Sequence, residues 1–105
     1  MFAQLVMLTL GPNMRSTGEE LAEKFAPALR AAKGFKRVTF FGNDEVGEYG
    51  SLSIWETKED VMAAATLLQP NLEKAVSGIA KSPPTRRFYE VYEPRVTQLP
   101  DPGGM

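Results

Sequence analysis

Apolar and polar positions alternate along this chain in blocks of two periods, and their order predicts six elements. Phe2 to Leu10 is a nearly continuous apolar strand, with Leu5, Met7 and Thr9 on one face and Gln4, Val6, Leu8 and Leu10 on the other. Gly11-Pro12-Asn13 breaks it. A helix follows, opened by Thr17 or by Ser16 with Glu19 as capping partner, and its apolar positions Leu21, Phe25, Ala28, Leu29 and Ala32 keep helical spacing up to a glycine cap at Gly34. Pro27 lies inside that pattern, which predicts a kink near Glu23 to Ala26. Phe35 to Gly42 reads as a second strand, Asn43 to Glu48 as a hairpin connection, and Tyr49 to Glu56 as a third strand carrying the chain's only tryptophan, Trp55. Thr57, with Asp60 three residues on, opens a second helix along Val61, Ala65, Leu68, Leu72, Val76 and Ile79. Pro70 predicts a break there, with one segment ending near Leu68 and another running from Pro70 to about Ala80. After Ser82-Pro83-Pro84, Arg86 to Glu93 is a fourth strand with Phe88 and Tyr92 opposite Tyr89 and Val91.

The order β-α-β-β-α-β, joined by right-handed crossovers, predicts an α+β ferredoxin-like plait: a four-stranded antiparallel sheet with both helices on one face. The domain is expected to span 1–94, followed by a Pro/Gly-rich C-terminal tail over 95–105 that is poor in structure-forming residues. The first two strands are apolar on both faces, although the helices cover only one. A monomer seldom exposes that much contiguous apolar surface, so the free face is expected to pack on a second copy in a sheet-to-sheet homodimer.

Composition narrows the chemistry mainly by exclusion. At 105 residues and 43% apolar the chain suits one domain with its own core. Twelve basic against thirteen acidic residues, a formal charge of -1, lack the excess that phosphate-backbone binding needs, so nucleic acid is not an expected partner. There is no cysteine for a disulfide framework, no apolar run long enough for a membrane span, and no basic stretch with a cleavage site at the N-terminus; the reading is cytoplasmic. Histidine is also absent, which removes Ser-His-Asp and Cys-His catalysis, the usual zinc sites and the proximal ligand of haem. The acids Asp44, Glu45 and Glu48 lack the ligand spacing of a calcium loop and read as a solvated turn. Gln4 stands out, because an amide on an apolar strand needs partners when buried: a ligand, a water or its twin across a dimer axis.

The element order, the junction Ile54-Trp55-Glu56-Thr57-Lys58-Glu59-Asp60 and the segment Gln69-Pro70-Asn71-Leu72 together resemble the antibiotic biosynthesis monooxygenase-like family of dimeric α+β barrel proteins. The resemblance covers about Phe2 to Pro94 and rests on short motifs. It implies two plaits joined face to face into a barrel, a pocket in each subunit between helices and sheet, and cofactor-independent oxidation of a small phenol- or quinol-type aromatic by molecular oxygen. Trp55 matches the tryptophan that ends the third strand in the family, and Asn71 stands after Pro70 where many members carry histidine; these two are the candidate catalytic residues. Haem-degrading relatives need an iron-ligating histidine, which this chain lacks.

A cofactor-free site has to desolvate the aromatic ring, favour its anion and hold it still. Trp55, Tyr49 and Tyr89 would then give aromatic walls, Asn71 a polar contact, and Arg37 a positive charge for a phenolate if its side of the strand faces the pocket, with Gln4 a further ligand contact on its own ground as a buried amide. Arg86 and Arg87 point to opposite faces and rank below it. Each residue has an ordinary structural reading too: Trp55 as core packing, Asn71 as a first-turn helix residue, Tyr49 and Tyr89 as amphipathic sheet residues, and Arg37 as a carboxylate's partner. A non-catalytic small-molecule-binding or dimerisation module is therefore the alternative, since this plait hosts many functions.

Overall fold

The structure, a computed structural model, describes residues 1–93. Its elements follow the predicted order: β1 (Phe2–Thr9), α1 (Arg15–Ala31), β2 (Phe35–Asn43), β3 (Glu48–Trp55), α2 (Lys58–Val76) and β4 (Thr85–Glu90). The four strands form one antiparallel sheet in the order β2-β3-β1-β4, and both helices pack on the same face, which is the ferredoxin-like plait. No helix is long and apolar enough to cross a membrane among the described residues. The proposed boundary at residue 94 and the tail 95–105 lie outside the described residues.

Cross-strand register settles which side chains meet the helices. Gln4 pairs with Ser53 and Phe88, Val6 with Ser51 and Arg86, and Leu8 with Tyr49, so these residues share the helix-covered face with Val38 and Phe40 of β2. The opposite face carries Ala3, Leu5 and Met7 with Leu52, Ile54, Thr39, Phe41 and Tyr89, as the alternation on β1 predicts. A bulge between Phe35 and Arg37 changes the phase of β2: Phe35 sits opposite Trp55 on the helix side, whereas Arg37 sits opposite Ile54 on the free face.

Helix α2 differs from expectation at Pro70, where one continuous helix stands in place of the two expected segments. α1 and α2 continue through Pro27 and Pro70, each of which is solvent-exposed. The missing backbone donor costs less where water can satisfy the freed carbonyl. In α2, Leu68 and Leu72 still pack inward on either side of Pro70, in separate apolar clusters, so tertiary burial holds the turn that the proline weakens. Helix α2 is capped as predicted, with the Asp60 N–H donating to Thr57 Oγ1 at 3.1 Å. Helix α1 begins before Ser16, and its cap residue Met14 has no side-chain cap; instead the Met14 N–H donates to the Tyr49 hydroxyl at 3.1 Å. A long-range partner replaces the local one. On α1 the buried positions are Ala26 and Leu29, while Ala28 faces solvent.

The core is divided into two clusters. Leu8, Leu10, Tyr49 and Val76 pack at one end with Met14, Leu21 and Leu72 around them. Leu29, Trp55, Val61 and Ala64 pack at the other with Phe2, Phe35, Val38 and Leu68. Trp55 has no solvent exposure; Phe35 meets its ring edge-on with centroids 5.5 Å apart, and its indole N–H donates to Ser53 Oγ at 2.8 Å. Emptying this site removes a large packed volume, so Trp55→Ala is expected to destabilise the protein by about 3–5 kcal/mol. Ser53→Ala, which orphans the buried indole donor, is expected to cost about 1–3 kcal/mol. Urea unfolding followed by far-UV circular dichroism checks both, with the two midpoints expected to fall in that order.

Candidate functional site

On the helix-covered face of β3 the side chains read Tyr49, Ser51, Ser53 and Trp55. Two large aromatics reach up into the helix layer at the ends of the strand and two small hydroxyls leave space between them. Above that gap stand other small residues, Ala22 on α1 and Ala64 and Ala65 on α2. The result is a cavity of about 310 Å³ between helices and sheet. Val6, Leu8, Leu21, Phe25, Phe40 and Leu68 supply much of its apolar wall. Such a volume, mostly apolar with a few converging polar groups, is of the kind that holds small organic ligands.

The polar groups fall at two ends. Toward β4, the Arg86 guanidinium donates from Nη1 to Gln4 Oε1 at 3.2 Å, with Gln4 only 4% exposed. Arginine has donors only, so the Gln4 atom facing it must be the oxygen, which turns the amide nitrogen away from Arg86. Burial disfavours the charged form of Arg86 and lowers its pKa, a shift opposed by the Glu73 carboxylate, yet an arginine remains charged at any ordinary pH. No carboxylate lies within salt-bridge distance of Arg86 among the described residues. A half-buried cation with a neutral partner is suited to receiving an anionic oxygen.

At the other end, Tyr49 is held by a tight local fit. Its ring lies where a Cβ on Gly18 would come within 3.1 Å and one on Gly42 within 2.4 Å. The second spacing is too short for any side chain, so Gly42 is required for the ring to lie there. The Tyr49 hydroxyl donates to Asp44 Oδ1 at 2.7 Å while accepting from the Met14 N–H. Desolvation, reinforced by the Asp44 carboxylate, raises the Tyr49 pKa, so the phenol stays protonated and remains a donor. Arg15 and Glu19 lie at this rim as an ion pair 3.1 Å apart.

The sequence-predicted residues divide accordingly. Gln4 and Tyr49 line the cavity. Trp55 is wholly buried beside it, engaged with Phe35 and Ser53, and is not one of the lining residues. Asn71 is exposed on α2 and does not reach the cavity. Arg37 and Tyr89 are on the free face of the sheet, Arg37 because of the bulge in β2 and Tyr89 because it pairs with Ala3. Arg86, which the sequence places below Arg37, lines the cavity and is less exposed than Arg15, the other lining cation, and Ser51, Ser53, Phe25 and Phe40 join the lining with no signal of their own in the sequence motifs. The available signal was the run of small residues between Tyr49 and Trp55 at every second position.

No family model matches the chain, and no curated protein matches it in sequence. Solved structures do match in fold. The monooxygenase from the gene ActVA-Orf6 of Streptomyces coelicolor, solved in complex with the ligand Nanaomycin D, aligns with a TM-score of 0.72 at 20% identity over 89% of this chain and 88% of that one. SnoaB, a cofactor-independent oxygenase from Streptomyces nogalater, aligns with a TM-score of 0.66 at 14% identity over 90% of this chain and 96% of that one. A further antibiotic biosynthesis monooxygenase gives 0.65 at 10% identity over 89% and 100%. At these identities the likeness is one of architecture, and it agrees with the resemblance seen in the sequence: the chain has the fold of the antibiotic biosynthesis monooxygenases.

Proposed function

We propose that this protein is a cofactor-independent monooxygenase that binds a small phenol- or quinol-type aromatic in the cavity between helices and sheet. The observation that supports this most directly is the pairing of an apolar cavity of about 310 Å³ with a half-buried Arg86 whose hydrogen-bond partner among the described residues is the neutral Gln4 amide. Phe25 and Phe40 offer aromatic surface to a ring, and Arg86 favours its ionised oxygen. The fold shared with ActVA-Orf6 and SnoaB, described as a monooxygenase and a cofactor-independent oxygenase, is consistent with it.

The chemistry asks little of the protein beyond this. A phenolate is electron-rich at the ring carbon opposite its oxygen. Dioxygen accepts electrons from that carbon, a C–O bond forms, and the resulting hydroperoxide loses water to leave a second carbonyl. A phenol with a free carbon at that position plus O2 thus gives a quinone plus H2O, with all four electrons drawn from the substrate. Burying the ring excludes water, fixing Arg86 beside the oxyanion lowers the cost of forming it, and the small side chains of Ser51 and Ser53 leave room between the ring and the sheet. Trp55 takes part by holding its end of the cavity open, and Asn71 has no contact in this scheme.

One observation favours a binding module without turnover: the acids that line the cavity, Glu19 and Asp44, stand at its rim, and Glu19 is already paired with Arg15. Oxygen uptake with a panel of quinols and polyphenols separates the two readings. The expected result is uptake well above the uncatalysed rate, with kcat/KM falling about 10²-fold in Arg86→Met and staying within about twofold in Arg37→Met, whose side chain is on the other face. Background uptake from a protein that still binds the aromatics would establish the binding module instead.

The free face supports a homodimer as part of the same proposal. Phe41 and Leu52 are 42% and 40% exposed there, next to Leu5, Met7 and Tyr89. A twofold contact that buries upward of about 1,000 Å² would cover them. Sedimentation equilibrium is expected to give a dimer for the wild type and a monomer for Leu52→Arg, which places a charge in the centre of that face.

A further inference from the structure

The two polar ends of the cavity carry opposite chemistry, and that asymmetry specifies more about the ligand than the apolar wall does. Arg86 and Gln4 sit toward β4. The Tyr49 hydroxyl and Asp44 sit where β3 begins, at the hairpin from β2. Along β1, Leu8, the partner of Tyr49, stands two residues from Val6, the partner of Arg86, and four from Gln4, which the Arg86 guanidinium reaches, a rise of about 7 to 13 Å. The two ends also lie on opposite sides of β1, since β4 and β3 flank it. Between them the lining is apolar apart from the hydroxyls of Ser51 and Ser53.

We infer that the cavity selects bipolar aromatic ligands, with an ionised oxygen held by Arg86 at one end and a hydroxyl donor received by Asp44 at the other, so that the ring system binds in one orientation. This inference rests on the aromatic-binding reading above and deepens it. Arg86 can only donate, so it demands an acceptor and prefers an anion. Asp44 is a carboxylate, and the bond from the Tyr49 hydroxyl occupies one of its several acceptor sites. It repels an anion and accepts a hydroxyl. The charged groups facing it are Arg15, which draws on it, and Glu19, which is satisfied by Arg15; neither reverses that preference. A ligand placed backwards would set an anion against Asp44 and a donor against Arg86, and lose at both ends.

Fluorescence titration with three naphthalene probes tests this without any need for turnover: 6-hydroxy-2-naphthoate, which carries both groups at opposite ends, 2-naphthoate, which lacks the hydroxyl, and 2-naphthol, which lacks the acid. The wild type is expected to bind the bifunctional probe roughly tenfold or more tightly than either of the others, the usual scale for a hydrogen bond to a charged group. In Asp44→Asn the preference over 2-naphthoate should shrink while that over 2-naphthol persists, and in Arg86→Met the reverse. Because the probe comparison in the wild type already reads both ends, it stands even if a variant folds poorly. Equal binding of all three probes, or loss of both preferences in either variant, overturns bipolar selection but leaves an aromatic-binding cavity in place. No binding of any naphthalene overturns the aromatic-binding reading itself, and bipolar selection with it.

Discussion

The fold depends on one strand that is asked to do two incompatible things, to prop the helices off the sheet and to leave room beneath them. β3 resolves this by position. Its ends carry Tyr49 and Trp55, each buried in its own apolar cluster, and these two clusters set the height of α1 and α2. Its middle carries Ser51 and Ser53, too short to fill the space so created. Apolar contact at both ends stabilises the structure enough to leave the middle open, because dispersion and burial scale with the atoms brought together and not with the completeness of the core. The cavity is thus a consequence of how the core is divided.

Much of the architecture was legible because it is written in local patterns. Apolar runs bounded by Gly11-Pro12-Asn13, Asn43 to Glu48 and Ser82-Pro83-Pro84 delimit the strands, and the order of elements then leaves few topologies. What was not legible depended on distant partners. The start of α1 is fixed by the Tyr49 hydroxyl, 35 residues away in the chain, and not by Ser16 or Thr17. The continuity of α2 through Pro70 depends on packing against the sheet, which no local propensity contains.

The site shows the same division. Gln4 was identifiable as an amide on an apolar strand, and Tyr49 as an aromatic at a strand start, since both readings need only period two. Arg37 and Arg86 required knowledge of register. A single bulged residue in β2 assigns Arg37 to the free face, and the pairing of β4 with β1 assigns Arg86 to the cavity. Trp55 was expected as a wall of the pocket because it is large and solitary, and those same properties suit it to structural burial; its ring, with no exposure at all, lies in the cluster at the end of β3. Small residues are easy to overlook beside it, although Ser51, Ser53, Ala64 and Ala65 define the open volume more than any aromatic does.

The two serines are not equivalent, and the difference separates the support of the cavity from its volume. Ser53 accepts the Trp55 indole N–H, so it is tied to the fold, whereas Ser51 makes no side-chain hydrogen bond among the described residues and still lines the floor. Position 51 is therefore free to vary in size with little effect on the supports at either end of the strand. The depth of the cavity and the stability of the scaffold are thus carried by different residues of one strand, two positions apart.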